Sequence, residues 1–178
     1  MTHMKLFSAI LLAGVAAMAA GCGSTTPTAP TTVTLPSSYT FTASLLPANE
    51  VPAVSNAEAS GSGTVTVTMN VTRDSAGSIT AATANFSVSL SGFPAGTTLT
   101  GAHIHQAGPG ATAGVSVNTG LASGEVVLTA GSASFSKSTI NVTVDTANNL
   151  IAGSNGFYFN VHSTTNTGGV ARGQLNKQ

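Results

Sequence analysis

Apolar and polar residues alternate with a period of two along most of the chain after Tyr39. In "FTASL", Phe41, Ala43 and Leu45 share one face, while threonine and serine occupy the other. Because successive side chains of a strand point to opposite faces, this pattern is typical of a strand that is half buried. The folded region is therefore predicted to begin with a strand near Tyr39.

The same alternation returns between Gly, Asn and Ser residues. It occurs in "GTVTVTMNVT" (Val65, Val67, Met69, Val71), in "TANFSVSLSG" (Ala84, Phe86, Val88, Leu90) and in "STINVTVD" (Ile140, Val142, Val144). "GEVVLTA", "GFYFNVHS" and "ARGQL" are further candidate strands, and "RDSAGS" predicts a turn. No segment keeps a period of 3.6, so helix should be minor. We predict an all-β, antiparallel, Greek-key-like sandwich or flattened barrel of about seven or eight strands.

The first 21 residues have the features of an export signal. Lys5 precedes the apolar run "LFSAILLAGVAAMAA", which is short for a membrane span, and small residues follow up to Cys22. "AAGC" resembles the lipobox of bacterial lipoproteins, in which the cysteine is lipidated and becomes the first residue. The usual leucine of that motif is Ala19 here. Two alternatives are an ordinary secretory peptide cut near Ala20 and a buried free thiol.

These features divide the chain into a signal peptide (1–21), a tether rich in Thr, Ser and Pro (22–38) and one β-domain (39–178). Cys22 would carry the lipid, so the expected partner is a membrane. The expected location is extracytoplasmic, in the periplasm or on the surface of a bacterial cell envelope.

Composition excludes several functions. Cys22 is the only cysteine, so no intrachain disulfide can form. Without Lys5, the chain has four basic and five acidic residues, which gives a net charge of about −1. This charge argues against a surface that binds nucleic acid. None of the five carboxylates lies near a histidine in sequence, which argues against a hydrolase with paired carboxylates.

The histidines are the candidate metal ligands of this chain. His103 and His105, in "GAHIHQAGPG", would project from the same face of a strand about 6.5–7 Å apart, while Ala102 and Ile104 enter the core. His162, in "FYFNVHS", would lie on the polar face of another strand. Neutral imidazoles bind copper and zinc. If the two strands meet, the three rings form a site for one metal ion, with nitrogens about 3–4 Å apart.

A structural interpretation of the same residues stays open. Histidines on a strand surface can face solvent and bond to neighbouring backbone, and a lone His-x-His pattern is a weak signal. Tyr158 shares the face of His162 and could stack on a ring or simply lie on the surface. The glycines at 108, 110 and 114 are predicted to form a loop beside the histidines.

Three segments together resemble the chordin-type domain, called CHRD. They are "FTASLLPANEVPAV", "FSVSLSGFPAGTTLTGAHIHQAGPGATAGV" and "GFYFNVHSTTNTGGVARGQL", which extend over about Tyr39 to Leu175. The motif "NEVPAV" has Ala53 where a second proline is common. The resemblance implies a β-rich exported domain, without an established reaction.

A more distant resemblance is to copper,zinc superoxide dismutases. There a His-x-His strand and a later Val-His segment supply three copper ligands, and a C-terminal arginine guides the anion. This order implies copper ligation by His103, His105 and His162, with Arg172 as the guide. The chain lacks the histidine that bridges copper to zinc, the zinc ligands and the disulfide, which counts against dismutase activity.

Arg172 has a second interpretation, as a tie between strand ends and a carboxylate, for which Glu50 is the expected partner. Three functions follow from these patterns. The chain is a lipid-anchored module that binds copper, with zinc as the alternative metal, or a copper enzyme of the dismutase kind. The third is a metal-free adhesion or scaffold module whose protein partner the sequence does not identify.

Overall fold

The computed structural model describes residues 34–178. The predicted signal peptide and most of the predicted tether, including Cys22, lie outside the described residues. Within this part of the chain, no helix has the length and apolar character needed to cross a membrane.

Ten strands and one helix form the described fold. They are β1 (Ser38–Leu45), β2 (Ser62–Arg73), β3 (Ile79–Ser91), β4 (Thr97–His105), β5 (Val115–Asn118), β6 (Val127–Leu128), β7 (Ala133–Val142), α1 (Val144–Ala152), β8 (Tyr158–Ser163), β9 (Ala171–Gln174) and β10 (Asn176–Lys177). Short 3-10 turns occur at Pro47–Asn49, Ala57–Ser60 and Ser154–Gly156.

The strands form two antiparallel sheets that pack face to face. The first sheet, in the order β10-β1-β2-β3-β7, carries the long alternating strands. The second sheet has the order β5-β4-β8-β9, with β6 paired to the start of β4. The sheets remain open, so the predicted all-β sandwich is confirmed and the barrel alternative is not needed.

Alternation along β1–β3 produces the core as predicted. The apolar residues of each strand, including Phe41, Val67 and Phe86, are buried between the sheets, and Phe86 stacks on Phe159 of the second sheet with ring centroids 5.9 Å apart. The β2–β3 turn is also confirmed. Asp74 closes it by accepting hydrogen bonds from the backbone N–H groups of Ala76 and Ser78.

Close contact at one edge joins the two sheets. Leu46 pairs with Arg172 in an isolated antiparallel bridge that continues from β1 to β9. At the next position, a side chain on Gly173 would place its Cβ 2.0 Å from the carbonyl oxygen of Ser44. Glycine is therefore required for the approach of these two backbones.

The structure differs from the sequence prediction in three respects. Val144 does not continue the strand of Ile140 and Val142, because Thr143 caps a helix there by accepting from the N–H of Thr146. The strand predicted in "GEVVLTA" is reduced to Val127–Leu128. Ten strands form where seven or eight were predicted, and two of the ten have only two residues.

The second sheet differs from the first because its polar face is covered. Three carbonyl oxygens of the segment 106–114, which we call the covering loop, accept hydrogen bonds from side chains of this face. The donors are His105, Arg172 and Gln174. Residues that the pattern predicted on a solvated face therefore lie beneath a loop.

Candidate metal centre

β4 and β8 place the three histidines on one face of the second sheet. In the register, His103 lies opposite Asn160, His105 opposite Tyr158 and His162 opposite Gly101. The predicted division of each strand is confirmed, since Ala102 and Ile104 are buried in the core. Because β4 and β8 are hydrogen-bonded neighbours, residues separated by more than fifty positions meet at this face.

The imidazole rings converge on a common point. One ring nitrogen from each histidine lies within 4.8 Å of those of the other two. The shortest distance, 3.1 Å, joins Nδ1 of His103 to Nε2 of His162. Among the described residues, this is the one group of three or more potential ligands of its kind.

Backbone carbonyls fix the orientation of two rings. Nδ1 of His105 lies 2.9 Å from the carbonyl oxygen of Ala113, and Nδ1 of His162 lies 2.9 Å from that of Thr167. A carbonyl oxygen only accepts, so in a neutral ring whose Nδ1 donates to it, Nε2 keeps its lone pair. Hydrogen bonds of this type orient histidine ligands in metal sites.

Gly101 makes room for the third ring. His103 bends over this glycine, and a Cβ placed there would lie 3.1 Å from Cε1 of His103. The ring thereby points its Nδ1 toward His162. Since Nε2 of His162 is an acceptor, Nδ1 of His103 carries the shared proton, which a metal ion bound between them would replace.

Burial keeps two of the histidines neutral. It lowers the pKa of His103 to about 4, with further lowering by the nearby His162 and His105. Burial also lowers the pKa of His162, more than the hydrogen bond to Thr167 raises it. Both rings are therefore unprotonated near neutral pH, which is the state that binds transition metals.

The donor set fits a single transition-metal ion after a small movement. Nitrogens bound to one ion at about 2.0–2.1 Å are at most about 4.2 Å apart. The 3.1 Å pair meets this limit and the expected 3–4 Å range, whereas a pair near 4.8 Å must approach further. His105 is 6% exposed and the other two rings are half buried, so the solvent-facing interpretation does not describe His105.

Tyr158 and Arg172 extend the site as a stack. The Tyr158 ring lies parallel to His105, with centroids 4.8 Å apart, and the Arg172 guanidinium carbon lies 4.2 Å from the Tyr158 centroid. Because β4 and β9 flank β8 on opposite sides, the phenol ring lies between the other two groups. The buried ring of Tyr158 therefore separates the Arg172 guanidinium from His105.

Arg172 and Glu50 are neighbours without forming the predicted tie. Both line one cavity, but no carboxylate of the described residues lies within 4.0 Å of the guanidinium. Instead, Nη1 of Arg172 donates to the carbonyl oxygen of Ala111. Burial raises the pKa of Glu50 to about 7, against opposing effects of Arg172 and a hydrogen bond from Asn160.

Asn160 is a member of the site that the sequence did not reveal. It is 2% exposed, and its Oδ1 lies 3.1 Å from Nε2 of His105. A neutral ring has one N–H, so only one of the two oxygens that face His105 can receive a hydrogen bond from it. The available signal was position: Asn160 precedes Val161-His162 on the same face as His162.

A family model for the CHRD domain matches residues 41–175 of this chain. Neither the search of curated proteins nor that of solved structures produced a match.

Proposed function

This chain is a member of the CHRD domain family, and from that premise we propose that it is an exported, membrane-tethered binding protein. Its β-sandwich holds one copper ion through His103, His105 and His162. The function is binding, for sequestration or redox handling of the metal, and zinc is the alternative ion.

The observation that carries this proposal is the convergence of three imidazole nitrogens within 4.8 Å. Two of the rings are oriented by backbone carbonyls, and Gly101 accommodates the third. Imidazole ligands without carboxylates or thiolates favour copper or zinc over magnesium, calcium or manganese. A ring set of this kind requires only a small movement to hold an ion.

Binding receives more support than superoxide dismutation. Dismutation would require a positive group that guides the anion to the metal. Arg172 was the candidate, but Tyr158 lies between its guanidinium and His105. Partial exposure of His103 and His162 does leave a path for a small molecule, so the metal-loaded protein should be assayed against free copper at equal concentration. A faster rate per copper would favour the enzyme.

A titration tests the metal site. We expect the purified protein to bind one equivalent of copper, and the variant with all three histidines changed to Ala to bind at least about 100-fold more weakly. Competition with zinc identifies the preferred ion. Equal affinity of the two proteins would exclude this site.

A second measurement separates metal binding from a metal-free adhesion module. A ligand that binds only the folded state raises the free energy of unfolding by mass action. We expect copper to raise the melting temperature and chelator to reverse the rise, with no effect on the triple variant. An adhesion module without metal would melt identically under both conditions.

Export and lipidation are tested at Cys22, which lies outside the described residues. The residues that support this part are the apolar run after Lys5 and the motif "AAGC". In bacteria expressing the full chain, radiolabelled palmitate should label the protein and leave the Cys22→Ser variant unlabelled. An unlabelled wild-type protein would leave export by an ordinary signal peptide as the alternative.

A further inference from the structure

A separate cavity lies beside the metal centre, between β9, the covering loop and the turn that contains Glu50. Its volume is about 580 Å³ and none of the three histidines lines it. Sites for small molecules commonly have volumes of about 300–1,000 Å³. Arg172 and Glu50 both line the cavity, and Glu50 also lines the neighbouring cavity beside Gly169.

Arg172 brings a positive charge that the protein leaves without an ionic partner. The residue is 2% exposed, and the one ion pair among the described residues joins Lys137 and Glu125. A guanidinium has five N–H groups, and one hydrogen bond, to the carbonyl oxygen of Ala111, uses the donors of Nη1 only in part. A buried charge of this kind favours an anionic partner, and arginine favours planar carboxylates.

Glu50 has a buried oxygen that lacks a hydrogen-bond donor. It is 7% exposed, and its Oε1 is buried without a hydrogen-bond partner. Gly169 lies directly against the carboxyl group, because a Cβ there would be 2.6 Å from its carbon and both oxygens. Buried polar atoms without partners are rare in proteins, so this oxygen calls for a donor.

A ligand that satisfies both residues must carry an anionic group and a donor group. A simple anion would pair with Arg172 alone, and an amine would pair with Glu50 alone. A neutral sugar carries neither charge, and the residues that line the cavity provide no aromatic ring for it to stack on. We propose that this cavity binds a zwitterion of the amino-acid or short-peptide class, with its carboxylate at Arg172 and its ammonium group toward Glu50.

Two side-chain amides that line the cavity also favour a ligand of the peptide class. Asn49 lines the cavity and is anchored by a bond from its Nδ2 to the carbonyl oxygen of Arg172. Gln174 also lines it and directs its Nε2 to backbone carbonyls, including that of Ala107. These bonds hold the amide groups in place, so their oxygens remain as acceptors for the N–H groups of a peptide.

Isothermal calorimetry with glycylglycine tests the proposal. Chelator is present throughout because this dipeptide also binds copper. N-acetylglycine lacks the ammonium group and glycinamide lacks the carboxylate, so they serve as matched ligands. We expect glycylglycine to bind at least about tenfold more tightly than either. Equal binding of the three, or binding of none, would overturn the proposal.

Variants locate the site. Arg172→Gln and Glu50→Gln should each reduce the affinity for glycylglycine at least about tenfold. Val51 is a lining residue that is 43% exposed, so Val51→Trp should fold and obstruct the cavity even if the buried variants do not fold. Thr66→Ala, on the exposed face of the first sheet, is the matched control and should bind the dipeptide normally. Unchanged affinity in Val51→Trp would place any binding elsewhere.

Discussion

The outer faces of the two sheets are built from the same alternating pattern and have opposite environments. On the first sheet, Thr66 lies between Thr42 and Ser87 of the neighbouring strands, and this hydroxyl-rich face is solvated. On the second sheet, the corresponding face carries Tyr158 and Asn160, which are 3% and 2% exposed. The covering loop makes the difference.

This contrast explains why the candidate chemistry lies on one sheet. Water satisfies the hydroxyl groups of the first sheet, so their identity matters little beyond strand propensity. A covered polar group must find a partner in the protein, or its burial destabilises the fold. The second sheet therefore carries specific hydrogen bonds, histidines with lowered pKa values and polar groups that lack a partner. These features favour the binding of a metal ion or a small molecule.

The largest expected difference between the two faces is in the loss of stability when one side chain of each face is truncated to alanine. Tyr158→Ala should reduce the free energy of unfolding by about 3–5 kcal/mol, because it removes a buried ring between His105 and Arg172. The matched change Thr66→Ala should alter it by no more than about 0.5 kcal/mol, because that side chain is exposed. Urea unfolding measures both. Similar losses for the two variants would show that the covered face is not energetically distinct.

The next effect is a pH dependence that belongs to the covered face. The pKa of Glu50 is raised to about 7 from 4.5, so between these values the unfolded chain loses a proton that the folded protein keeps. The contribution of Glu50 to stability is therefore lost as the pH rises through this window. Relative to wild type, Glu50→Gln should gain about 2 kcal/mol between pH 4.5 and pH 7.5, after partial screening by solvent.

Unfolding in chelator at both pH values gives this difference directly. His103 and His162 produce the opposite dependence, because their lowered pKa values favour the folded state as the pH rises toward 6.5. They are present in both proteins, so they cancel in the comparison. A difference that stays constant with pH would mean that Glu50 has an ordinary pKa.

A smaller effect is expected from a single methyl group beside the metal centre. Gly101→Ala should weaken copper binding about tenfold, because the new Cβ would lie 3.1 Å from the ring of His103 and shift its Nδ1. Gly108→Ala is the matched control in the covering loop, where a Cβ meets nothing within 4 Å. Equal affinity of both variants would indicate that the His103 ring does not bind the metal in this orientation.

The smallest effect is expected at the ion pair between Lys137 of β7 and Glu125, which lies in the loop before β6. Nζ of Lys137 lies 2.7 Å from Oε1 of Glu125, and the hydrogen bond from Lys137 lowers the pKa of Glu125. Exposed pairs of this kind contribute little because water and salt screen them. Glu125→Gln should therefore leave the unfolding midpoint unchanged in high salt. A clear loss would show that this pair holds the loop before β6 against β7.

Some of the second sheet could be predicted and some could not. The phase of "AHIH" and "FYFNVH" predicted which residues share a face, because strand periodicity is a local property. The covering loop was expected beside the histidines, but not its bonds to His105, Arg172 and Gln174. The absence of an ion pair between Glu50 and Arg172 was also beyond prediction, because it depends on the separation of two segments far apart in sequence.

Alternation along single strands is enough to predict the β-sandwich, the apolar face of each strand and the three histidines on polar faces, because it depends only on residues close together in the chain. The pairing of β4 with β8, the loop over their polar face and the contact of Asn160 with His105 become visible only in the folded chain. The physical reason is that pairing and burial depend on which distant segments come together. Local periodicity carries no information about that choice.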